Sequence, residues 1–428
     1  MGSEGDRRAR TLPPVPDAAG RSLVVVGVNH RTCPLDERER LLRRATYARL
    51  RRAGGASPPW EDLVLLTTCN RIEAYAVTPR PRETERGIRA GLGIPEASRE
   101  VYVLLGTEAA SHLLRVATGL DSLAQGETQI AAQIRKAPSQ RPKSWPRSDA
   151  LAVLFERASH AAARIRHSAE LDGTEVSASH AALRFIEASV HLPRPTVALL
   201  GTGKMARIAA ASLRGRARIF VANRDPQRAR DVARALGGRG AGLDALDQIL
   251  EQADIVLAAT ASRKPLITAP RLRHIVAQRE GRPLWIVDLG FPRNIAPACR
   301  GVRGVTLVDI DGLAPWGAQP LPPAALARAE AHLRSEAERL VGLLRASSEE
   351  EIASLRKSAE EIRRREVEEA LARLPGLTDA DRAVVDKLAT RLVNRLLHGP
   401  TELLRSSPEA VRAELVQGLL RGIGGETR

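Results

Sequence analysis

The amino-acid sequence predicts an α/β protein in three parts: an α+β domain, a doubly wound parallel sheet, and a long helix that leads into a small helical domain. Three observations support this: short apolar β-branched runs before residue 106, strands that alternate with helices between residues 196 and 308, and a stretch rich in Leu, Glu and Arg from residue 323. A chain of 428 residues is too long for one ordinary core. We therefore predict domains at residues 21–172, 173–318 and 319–428, after a disordered leader at residues 1–20.

The first domain is predicted to combine strands with helices. Its strands are short buried runs at residues 23–28, 62–66, 75–77 and 101–105. Helical periodicity predicts helices at residues 35–52, 108–137 and 150–170, the second of them interrupted at Gly119 and Gly126. Prolines at positions 138, 142 and 146 then break the helical pattern.

The second domain begins with a strand at residues 196–200, which runs directly into Gly201-x-Gly203-x-x-Ala206 and a helix. Backbone N–H groups in such a turn can hold a pyrophosphate at the helix N-terminus, so the pattern predicts a Rossmann-type dinucleotide site. Further strands are predicted at residues 217–222, 254–259, 284–288 and 305–308, and a helix at residues 226–236. This alternation is typical of a doubly wound parallel sheet.

The end of the second strand of this domain indicates which dinucleotide is bound. Sites for NAD place an acidic residue there, about 20 residues beyond the glycines, to hold the ribose 2′-hydroxyl. The sequence instead reads Asn223-Arg224-Asp225, and the Arg224 guanidinium can pair with a 2′-phosphate, which favours NADPH. The alternative is that Arg224 is a solvated loop arginine and that Asp225 holds the hydroxyl. The predicted cofactor-binding residues are Gly201, Thr202, Gly203, Lys204, Met205, Ala206, Asn223 and Arg224.

The third part begins with an unusually long helical pattern. Between Pro323 and Leu374 there is no further proline and a single glycine, Gly342, while Leu and Ile recur at helical intervals. At 1.5 Å per residue this predicts a helix of about 75 Å, which is typical of a rod that connects domains or pairs with a second copy of itself. Pro375-Gly376 ends the pattern, and shorter helices are predicted at residues 379–397 and 408–421.

Composition limits the classes of partner and compartment. The formal net charge of +16 attracts a polyanion, and a nucleic acid is the first candidate, although an arginine-rich proteome also makes many proteins basic. No run approaches the roughly 20 apolar residues of a membrane span, and the N-terminus has no apolar signal region. The three cysteines, Cys33, Cys69 and Cys299, are too few for a disulfide framework. We expect a cytoplasmic protein with no metal site.

Cys69 is the candidate nucleophile. It follows an apolar strand and is flanked by Thr68, Asn70 and Arg71. A thiol is only a few per cent ionised at neutral pH, and a neighbouring guanidinium and strand-end amides could lower its pKa. The alternative is a structural cysteine at the end of a strand, which the tetrapeptide alone favours. Cys33 and Cys299 lack such polar neighbours and are predicted to be small packing residues.

Five stretches of the sequence carry a resemblance to a known family. They lie in order along nearly the whole chain and resemble signatures of the glutamyl-tRNA reductases: GVNHRT with Pro34 (27–34), TCNR-x-E (68–73), GLDSLAQGETQI-x-x-Q (119–133), DL-x-x-PR-x-I (288–295) and LLHGPT (396–401). Cys33 departs from the Ala that the family usually has there, the Pro-rich segment 138–146 replaces a helix, and Gly290-Phe291 replaces the usual Ala-Val pair.

The resemblance implies a function for each part. The first domain would be catalytic, the second would bind NADPH, and the long helix with the C-terminal domain would hold a homodimer. The catalytic residues would be Cys69 as nucleophile and His112 as the histidine that affects activity. Substrate contacts would fall on Thr68, Asn70, Arg71, Ser122, Glu127, Thr128, Gln129 and Gln133. The alternative is that Glu127 and Gln129 are helix-cap or surface groups and that His112 only packs on its helix.

The implied chemistry agrees with these residue types. Cys69 would attack the ester of glutamyl-tRNA and release the tRNA, and hydride from NADPH would reduce the resulting thioester to glutamate-1-semialdehyde. The Arg71 fork matches the geometry of a glutamate carboxylate. The product would enter tetrapyrrole biosynthesis, and whether it passes directly to glutamate-1-semialdehyde aminotransferase is left open.

Two other functions are compatible with parts of the sequence. The nucleotide domain alone resembles those of shikimate dehydrogenases, which suggests a different reductase of a small acid, but leaves Cys69 and the long helix without a role. A catalytically inactive tRNA-binding paralogue would explain the positive charge and the long helix. It would not explain a thiol beside an arginine.

Overall fold

The computed structural model describes residues 21–122, 129–143, 145, 150–171, 178–203, 207–208, 211–317, 321–345, 348–374 and 376–406. Its N-terminal part contains a four-stranded antiparallel sheet in the order β2-β3-β1-β4. The strands are β1 (Ser22–Asn29), β2 (Asp62–Thr67), β3 (Arg71–Thr78) and β4 (Tyr102–Leu105). All four predicted strands are confirmed, with β3 beginning four residues earlier than expected because it pairs along the whole length of β1.

Helices cover both faces of this sheet. They are α1 (Leu35–Arg44), α2 (Tyr47–Gly54), α3 (Pro81–Leu92), α4 (Gly106–Ala117), α5 (Gln129–Lys136) and α6 (Ala150–Ser168). Alternate strand residues enter two separate cores, one with α4 and α6 and the other with α2 and α3. Arg71, Glu73 and Tyr75 therefore face the same side of β3, toward α4 and α6.

The helix predicted at residues 35–52 is two helices, so that prediction was wrong. The chain leaves α1 after Arg44, and the Thr46 hydroxyl accepts a hydrogen bond from the Arg49 N–H to cap α2. The helix predicted at residues 108–137 is interrupted after Ala117, and Gly119 takes a φ of +78°. Gly126 lies outside the described residues. The first of the three prolines, Pro138, lies in a short 3-10 helix at Ala137–Gln140.

The second part contains a six-stranded parallel sheet in the order β10-β9-β8-β5-β6-β7. Its strands are β5 (Thr196–Leu200), β6 (Arg218–Asn223), β7 (Arg239–Gly242), β8 (Ile255–Ala258), β9 (Leu284–Asp288) and β10 (Val305–Asp309). Its helices are α7 (Ala178–Ser189), α8 (Pro226–Leu236), α9 (Leu246–Gln252), α10 (Ala269–Ala277) and α11 (Ala314–Gly317). The predicted doubly wound parallel sheet is confirmed.

One strand of this sheet was not predicted. β7 reads Arg-Gly-Ala-Gly and lacks the β-branched residues that usually indicate a strand. It is an edge strand that pairs only with β6. A Cβ on Gly240 would lie 2.4 Å from the backbone of Ala229 in α8, so the close packing of this strand on the helix requires a glycine.

The C-terminal part is helical, as predicted. Its helices are α12 (Pro323–Arg345), α13 (Ser348–Ala372) and α14 (Asp379–Ser406). α12 packs on α4 and α6 of the first domain through buried Ala and Leu side chains. Residues 346–347 lie outside the described residues, so a single uninterrupted helix from residue 323 to residue 374 stays a prediction. α14 extends beyond residue 397, where the predicted helix ends, and contains Pro400. The helix predicted at residues 408–421 lies outside the described residues.

α13 and α14 pack against each other and are joined by an ion pair between Arg363 and Asp386. Within the described ranges, no helix combines the length and apolar character that crossing a membrane requires.

Candidate active site

Cys69 lies in a tight turn between β2 and β3. The Thr68 hydroxyl accepts hydrogen bonds from the N–H groups of Asn70 and Arg71, both at 3.2 Å, and the Thr68 N–H donates to the Arg71 carbonyl at 2.9 Å. A side chain that bonds its own turn in this way fixes the local backbone. The Cys69 carbonyl accepts a further hydrogen bond from the guanidinium of Arg38 on α1. The turn therefore presents Cys69 at a defined position at the end of the sheet.

Exposure separates Cys69 from the other two thiols. Cys69 is partly exposed, whereas Cys33 and Cys299 are buried at 2% and 0% exposure. Burial, with Glu100 nearby, raises the pKa of Cys33 to about 12, and burial also raises the pKa of Cys299. A protonated, buried thiol is a poor nucleophile. Of the three cysteines, Cys69 is therefore the least buried one.

Arg71, the next charged residue of the turn, is fully buried and paired within the protein. Its Nη1 lies 3.0 Å from Glu73 Oε1 and 3.1 Å from Asp121 Oδ2, and its Nη2 donates to the Asp121 carbonyl. A guanidinium at 0% exposure requires such partners, because an unpaired buried charge is very costly. We expected the Arg71 fork to face a substrate carboxylate. The carboxylates that it contacts in this structure are internal ones.

Glu73 is the centre of this buried cluster. Its Oε2 accepts a hydrogen bond from the Tyr75 hydroxyl at 2.7 Å, and its Oε1 accepts one from the Tyr102 hydroxyl. His112 on α4 places Nε2 2.8 Å from the same Oε1. Burial alone would raise the pKa of Glu73, but His112 and Arg71 outweigh it and hold the pKa well below its usual range. His112 is thereby linked to the Cys69 turn through Glu73 and Arg71.

The loop after β1 lies beside the same turn. The His30 N–H donates to the Asn70 carbonyl at 2.8 Å, and Arg31 Nη1 lies 3.1 Å from Asp121 Oδ1. Burial and then Arg31 lower the pKa of His30 to about 4, so its imidazole is neutral at physiological pH. Glu73, Asp121 and Arg31 were not among the predicted site residues. A charged residue inside the apolar alternation of β3 was the available signal for Glu73.

The remaining predicted substrate residues are only partly brought together. Ser122 is buried directly after Asp121, and Asn70 is buried at 7% exposure with an Oδ1 that has no hydrogen-bond partner among the described atoms. Gln133 is exposed on α5. Gln129 begins α5, but its side chain is not described, and Glu127 and Thr128 lie outside the described residues.

The predicted dinucleotide turn lies at the carboxyl end of β5. Gly201 has a φ of +99°, and a Cβ there would lie 2.5 Å from the Ala259 carbonyl oxygen, so the turn requires glycine. Asn223 Nδ2 donates to Thr202 Oγ1 at 2.7 Å, which joins the ends of β5 and β6. Gly203 is exposed, and Lys204, Met205 and Ala206 lie outside the described residues.

Arg224 and Asp225 have different surroundings. The Asp225 carboxylate accepts hydrogen bonds from the N–H groups of Gln227 and Arg228 at 3.0 and 3.1 Å and so caps α8. Arg224 is exposed. The Asp225 carboxylate is therefore engaged by the helix N-terminus, whereas the exposure of Arg224 fits both a ligand contact and a solvated loop arginine. In the described part of the chain, no group of three His, Cys, Asp or Glu side chains could hold a metal ion.

Comparisons with known proteins match successive parts of the chain. Residues 26–169 match the N-terminal domain of glutamyl-tRNAGlu reductase, residues 185–315 match shikimate/quinate 5-dehydrogenase, and residues 328–421 match the dimerisation domain of glutamyl-tRNAGlu reductase. A glutamyl-tRNA reductase of Syntrophotalea carbinolica is 33% identical over 92% of each chain. This chain belongs to the glutamyl-tRNA reductase family.

Two further relatives illustrate the same match. A glutamyl-tRNA reductase of Moorella thermoacetica is 33% identical over 92% of each chain. A solved glutamyl-tRNA reductase of Methanopyrus kandleri is 29% identical and covers 94% of this chain and 98% of its own, with a TM-score of 0.40. The resemblance seen in the five sequence signatures is confirmed by the two glutamyl-tRNA reductases that are 33% identical over 92% of this chain.

Membership of the glutamyl-tRNA reductase family decides against the hypothesis of a different reductase of a small acid. The match to shikimate/quinate dehydrogenase is confined to residues 185–315, as expected of a shared pyridine-nucleotide-binding domain. The domains on either side match glutamyl-tRNA reductase instead. A separate reductase of a small acid would leave both of these flanking matches without a reason.

Proposed function

We propose that this protein reduces the glutamyl group of glutamyl-tRNA to glutamate-1-semialdehyde with NADPH, the first step of tetrapyrrole biosynthesis. The observation that carries this proposal is the partly exposed Cys69 thiol in a backbone-fixed turn, in a chain that matches glutamyl-tRNA reductases over 92% of its length. The proposal assigns catalysis to residues 21–172, NADPH binding to residues 173–318 and dimerisation to residues 319–428.

Cys69 is the nucleophile in this proposal. Its thiolate attacks the ester carbonyl of glutamyl-tRNA, and the bond from that carbonyl carbon to the ribose oxygen of the tRNA breaks. The tRNA leaves as the free hydroxyl after taking up a proton, and glutamate stays bound to the sulfur as a thioester. Addition of a hydride to the thioester carbonyl, followed by cleavage of the carbon–sulfur bond, returns the thiol and releases the aldehyde.

The candidate substrate contacts are the polar residues of the Cys69 turn and of the segment around α5. We propose that Thr68, Asn70, Ser122, Glu127, Thr128, Gln129 and Gln133 contact the glutamyl group, and that Asn70 Oδ1, buried without a described partner, accepts a hydrogen bond from it. Arg71 and His112 belong to the buried cluster through Glu73. A substrate carboxylate could reach Arg71 only in exchange for an internal partner such as Asp121.

NADPH would supply the hydride when bound to the second domain. The residues present fit a dinucleotide: the glycine turn follows β5 without room for a side chain at Gly201, and Gly203 leaves the backbone open to a phosphate. Exposed Arg224 at the end of β6 suits a 2′-phosphate better than a 2′-hydroxyl. We therefore propose NADPH rather than NADH.

Two macromolecular partners belong to the proposal. The net charge of +16 suits a tRNA, whose phosphates would release counterions on binding. A homodimer is supported by the match to a dimerisation domain and by apolar side chains that α14 leaves exposed, namely Val384, Leu388, Leu392 and Leu396. Their spacing of four residues places them along one side of the helix.

We also propose that the product passes to an aminotransferase, and that the protein acts in the cytoplasm.

One assay tests the proposed reaction. Glutamyl-tRNA and NADPH are mixed with the wild-type protein, Cys69→Ser, or Cys299→Ala as a matched control with a buried thiol. We expect the wild type and the control to form the aldehyde and oxidise NADPH, and Cys69→Ser to do neither. Tight tRNA binding without aldehyde formation by the wild type would instead support an inactive tRNA-binding paralogue.

A further inference from the structure

Arg38 on α1 joins three separate segments, although its side chain is completely buried. Its Nε donates to the Cys33 carbonyl at 3.1 Å, and its Nη1 donates to the carbonyl of Cys69. Its Nη2 forms an ion pair with the Asp311 carboxylate, which belongs to the nucleotide-binding domain. The guanidinium carbon also lies 5.9 Å from the centre of the Phe291 ring in the same domain. One side chain thus contacts both the turn of the candidate nucleophile and the second domain.

A second arginine reinforces this junction from the opposite side. Arg293, in the loop after β9, contacts the Glu39 carboxylate through Nη2 at 2.8 Å and Nε at 3.1 Å, and its backbone N–H donates to the same group at 2.6 Å. Arg293 also pairs with Asp36. Helix α1 is therefore held against the nucleotide-binding domain by charges from both sides.

We propose that Arg38 is a positioning residue that fixes the Cys69 turn relative to the nucleotide-binding domain, with Asp311 as its partner there. The inference rests on the proposed function, because it concerns how an acyl group on Cys69 meets the dinucleotide. Arg38 does not touch the reacting atoms in this account. It acts through the Cys69 carbonyl and through Asp311.

The physical basis is the cost of a buried charge. Asp311 provides the carboxylate that directly compensates the Arg38 guanidinium, and without it a fully buried charge would keep only two carbonyl partners and the Phe291 ring. The position of Cys69 and the docking of the second domain are therefore coupled through one residue. Asp311 follows β10, at the carboxyl end of the parallel sheet, and the Gly201 turn lies at the same end of β5. Dinucleotides bind outside that edge in sheets of this type.

Loss of this coupling should affect the two chemical steps differently. Attack of Cys69 on the ester needs the first domain, whereas reduction of the thioester needs both domains in a defined relative position. Misplacing reacting groups by about 1 Å can slow a reaction by about 100-fold. Loss of the Asp311 charge should therefore slow reduction far more than acylation.

Asp311 is the better residue to change, because its side chain is 31% exposed while Arg38 is completely buried. The full-length variants are Asp311→Asn, the conservative Asp311→Glu, and Asp247→Asn as a control. Asp247 pairs with Arg271 entirely within the nucleotide-binding domain. Cys69 acylation is measured with labelled glutamyl-tRNA in the absence of NADPH. Reduction is then measured in a single turnover after NADPH is added, and NADPH affinity is measured separately.

We expect Asp311→Asn to form acyl-enzyme at a near wild-type rate, to reduce it about 10- to 100-fold more slowly and to bind NADPH normally. Asp311→Glu should recover part of the reduction rate, and Asp247→Asn should resemble the wild type. Equal losses in both steps, no loss in either, or a weakened NADPH affinity would each overturn the proposal.

A readout without glutamyl-tRNA separates this proposal from the function itself. Alkylation of Cys69 by iodoacetamide reports on the turn, since Cys33 and Cys299 are buried. Bound NADPH should slow the alkylation of Cys69 in the wild type and in Asp247→Asn, and this protection should fall severalfold in Asp311→Asn. Equal protection in Asp311→Asn refutes the role of Arg38, whereas a wild type that never forms an acyl-enzyme refutes the proposed function.

Discussion

Two regions of this molecule depart from ordinary burial in opposite ways. Around the Cys69 turn, charges lie inside: Arg71 and Glu73 are at 0% exposure and Asp121 is at 2%. On α14, apolar side chains lie outside, with Leu388 at 57% and Leu396 at 74%. Charged residues are almost never fully buried unless paired, and an exposed apolar stripe usually marks an interface. The buried charges are paired with one another within the chain, whereas the exposed apolar side chains of α14 need a partner chain to cover them.

The difference separates two kinds of functional surface. In the cluster, Arg71 is paired with both Glu73 and Asp121, so removal of one carboxylate leaves the buried guanidinium with a single counter-charge. On α14, the single chain loses little when Leu388 is changed, because more than half of that side chain is already exposed to water. The cluster should therefore respond to mutation through stability, and the helix should respond through assembly.

The largest effect is expected from Glu73→Gln. The change removes one of the two carboxylates that pair with Arg71, and with it the charged acceptor for both tyrosine hydroxyls, so the free energy of unfolding should fall by about 1.5–3 kcal/mol. Urea-induced unfolding measures this. The matched control is Glu83→Gln, whose pair with Arg80 is about half exposed and should contribute less than about 1 kcal/mol. Similar losses for both variants would remove the distinction between the buried cluster and the surface.

The next effect is expected from Leu388→Asp. If this face of α14 is covered in a homodimer, the change should raise the dimer dissociation constant at least about tenfold, since burying one leucine contributes about 1.5–3 kcal/mol. Sedimentation equilibrium measures the constant. Leu192→Asp alters a leucine at 43% exposure in a different region and should leave assembly unchanged. A wild-type monomer at micromolar concentration would contradict the assigned role of the stripe.

Arg224 differs from the residues of both regions. It is exposed and does not cap a helix, and we propose that it binds the 2′-phosphate of NADPH. Arg224→Ala should raise the KM for NADPH about tenfold and change the KM for NADH little, because a hydrogen bond to a charged group contributes about 1.5–3 kcal/mol. Steady-state kinetics with both nucleotides measure the ratio, with Arg234→Ala on the far end of α8 as control. Equal effects on the two nucleotides would contradict the assignment.

The smallest expected effect is a change in pH dependence. The pKa of Glu73 is lowered in the folded protein, so the unfolded chain takes up a proton near pH 4.5 while the folded one still resists it. The stability that Glu73 contributes is therefore present above about pH 4.5 and is lost as the pH falls below it. Between pH 6 and pH 3.5, the urea midpoint of the wild type should fall more steeply than that of Glu73→Gln. Parallel pH profiles would show that the carboxylate titrates normally.

Local signals explain what the sequence could predict of the fold. The bounds of α8, Pro226–Leu236, were predicted correctly because Asp225 and Pro226 mark its start and Gly237, with a φ of +73°, marks its end. The break between α1 and α2 has no proline or glycine, and β7 has no strand-forming residues. Both features depend on packing that local sequence does not display.

The same distinction between local signals and long-range contacts applies to the candidate site. Local sequence places Cys69 at the end of a strand and Asp225 directly before a helix, and both positions are correct. The environment of Arg71 does not, because Asp121 lies 50 residues further along the chain and meets it only in the folded domain. The contact from Arg38 to Asp311 spans 273 residues and two domains. Such long-range pairs could not be predicted without the structure.

Trapping the acyl-enzyme tests the central claim most directly. The wild-type protein is incubated with glutamyl-tRNA in the absence of NADPH, then denatured in acid, digested, and analysed by peptide mass spectrometry. We predict a glutamyl thioester on the peptide that contains Cys69, removed by hydroxylamine and absent from Cys69→Ser. A glutamyl adduct on Cys33 or Cys299, or none on any cysteine while the aldehyde still forms with NADPH, would contradict the account.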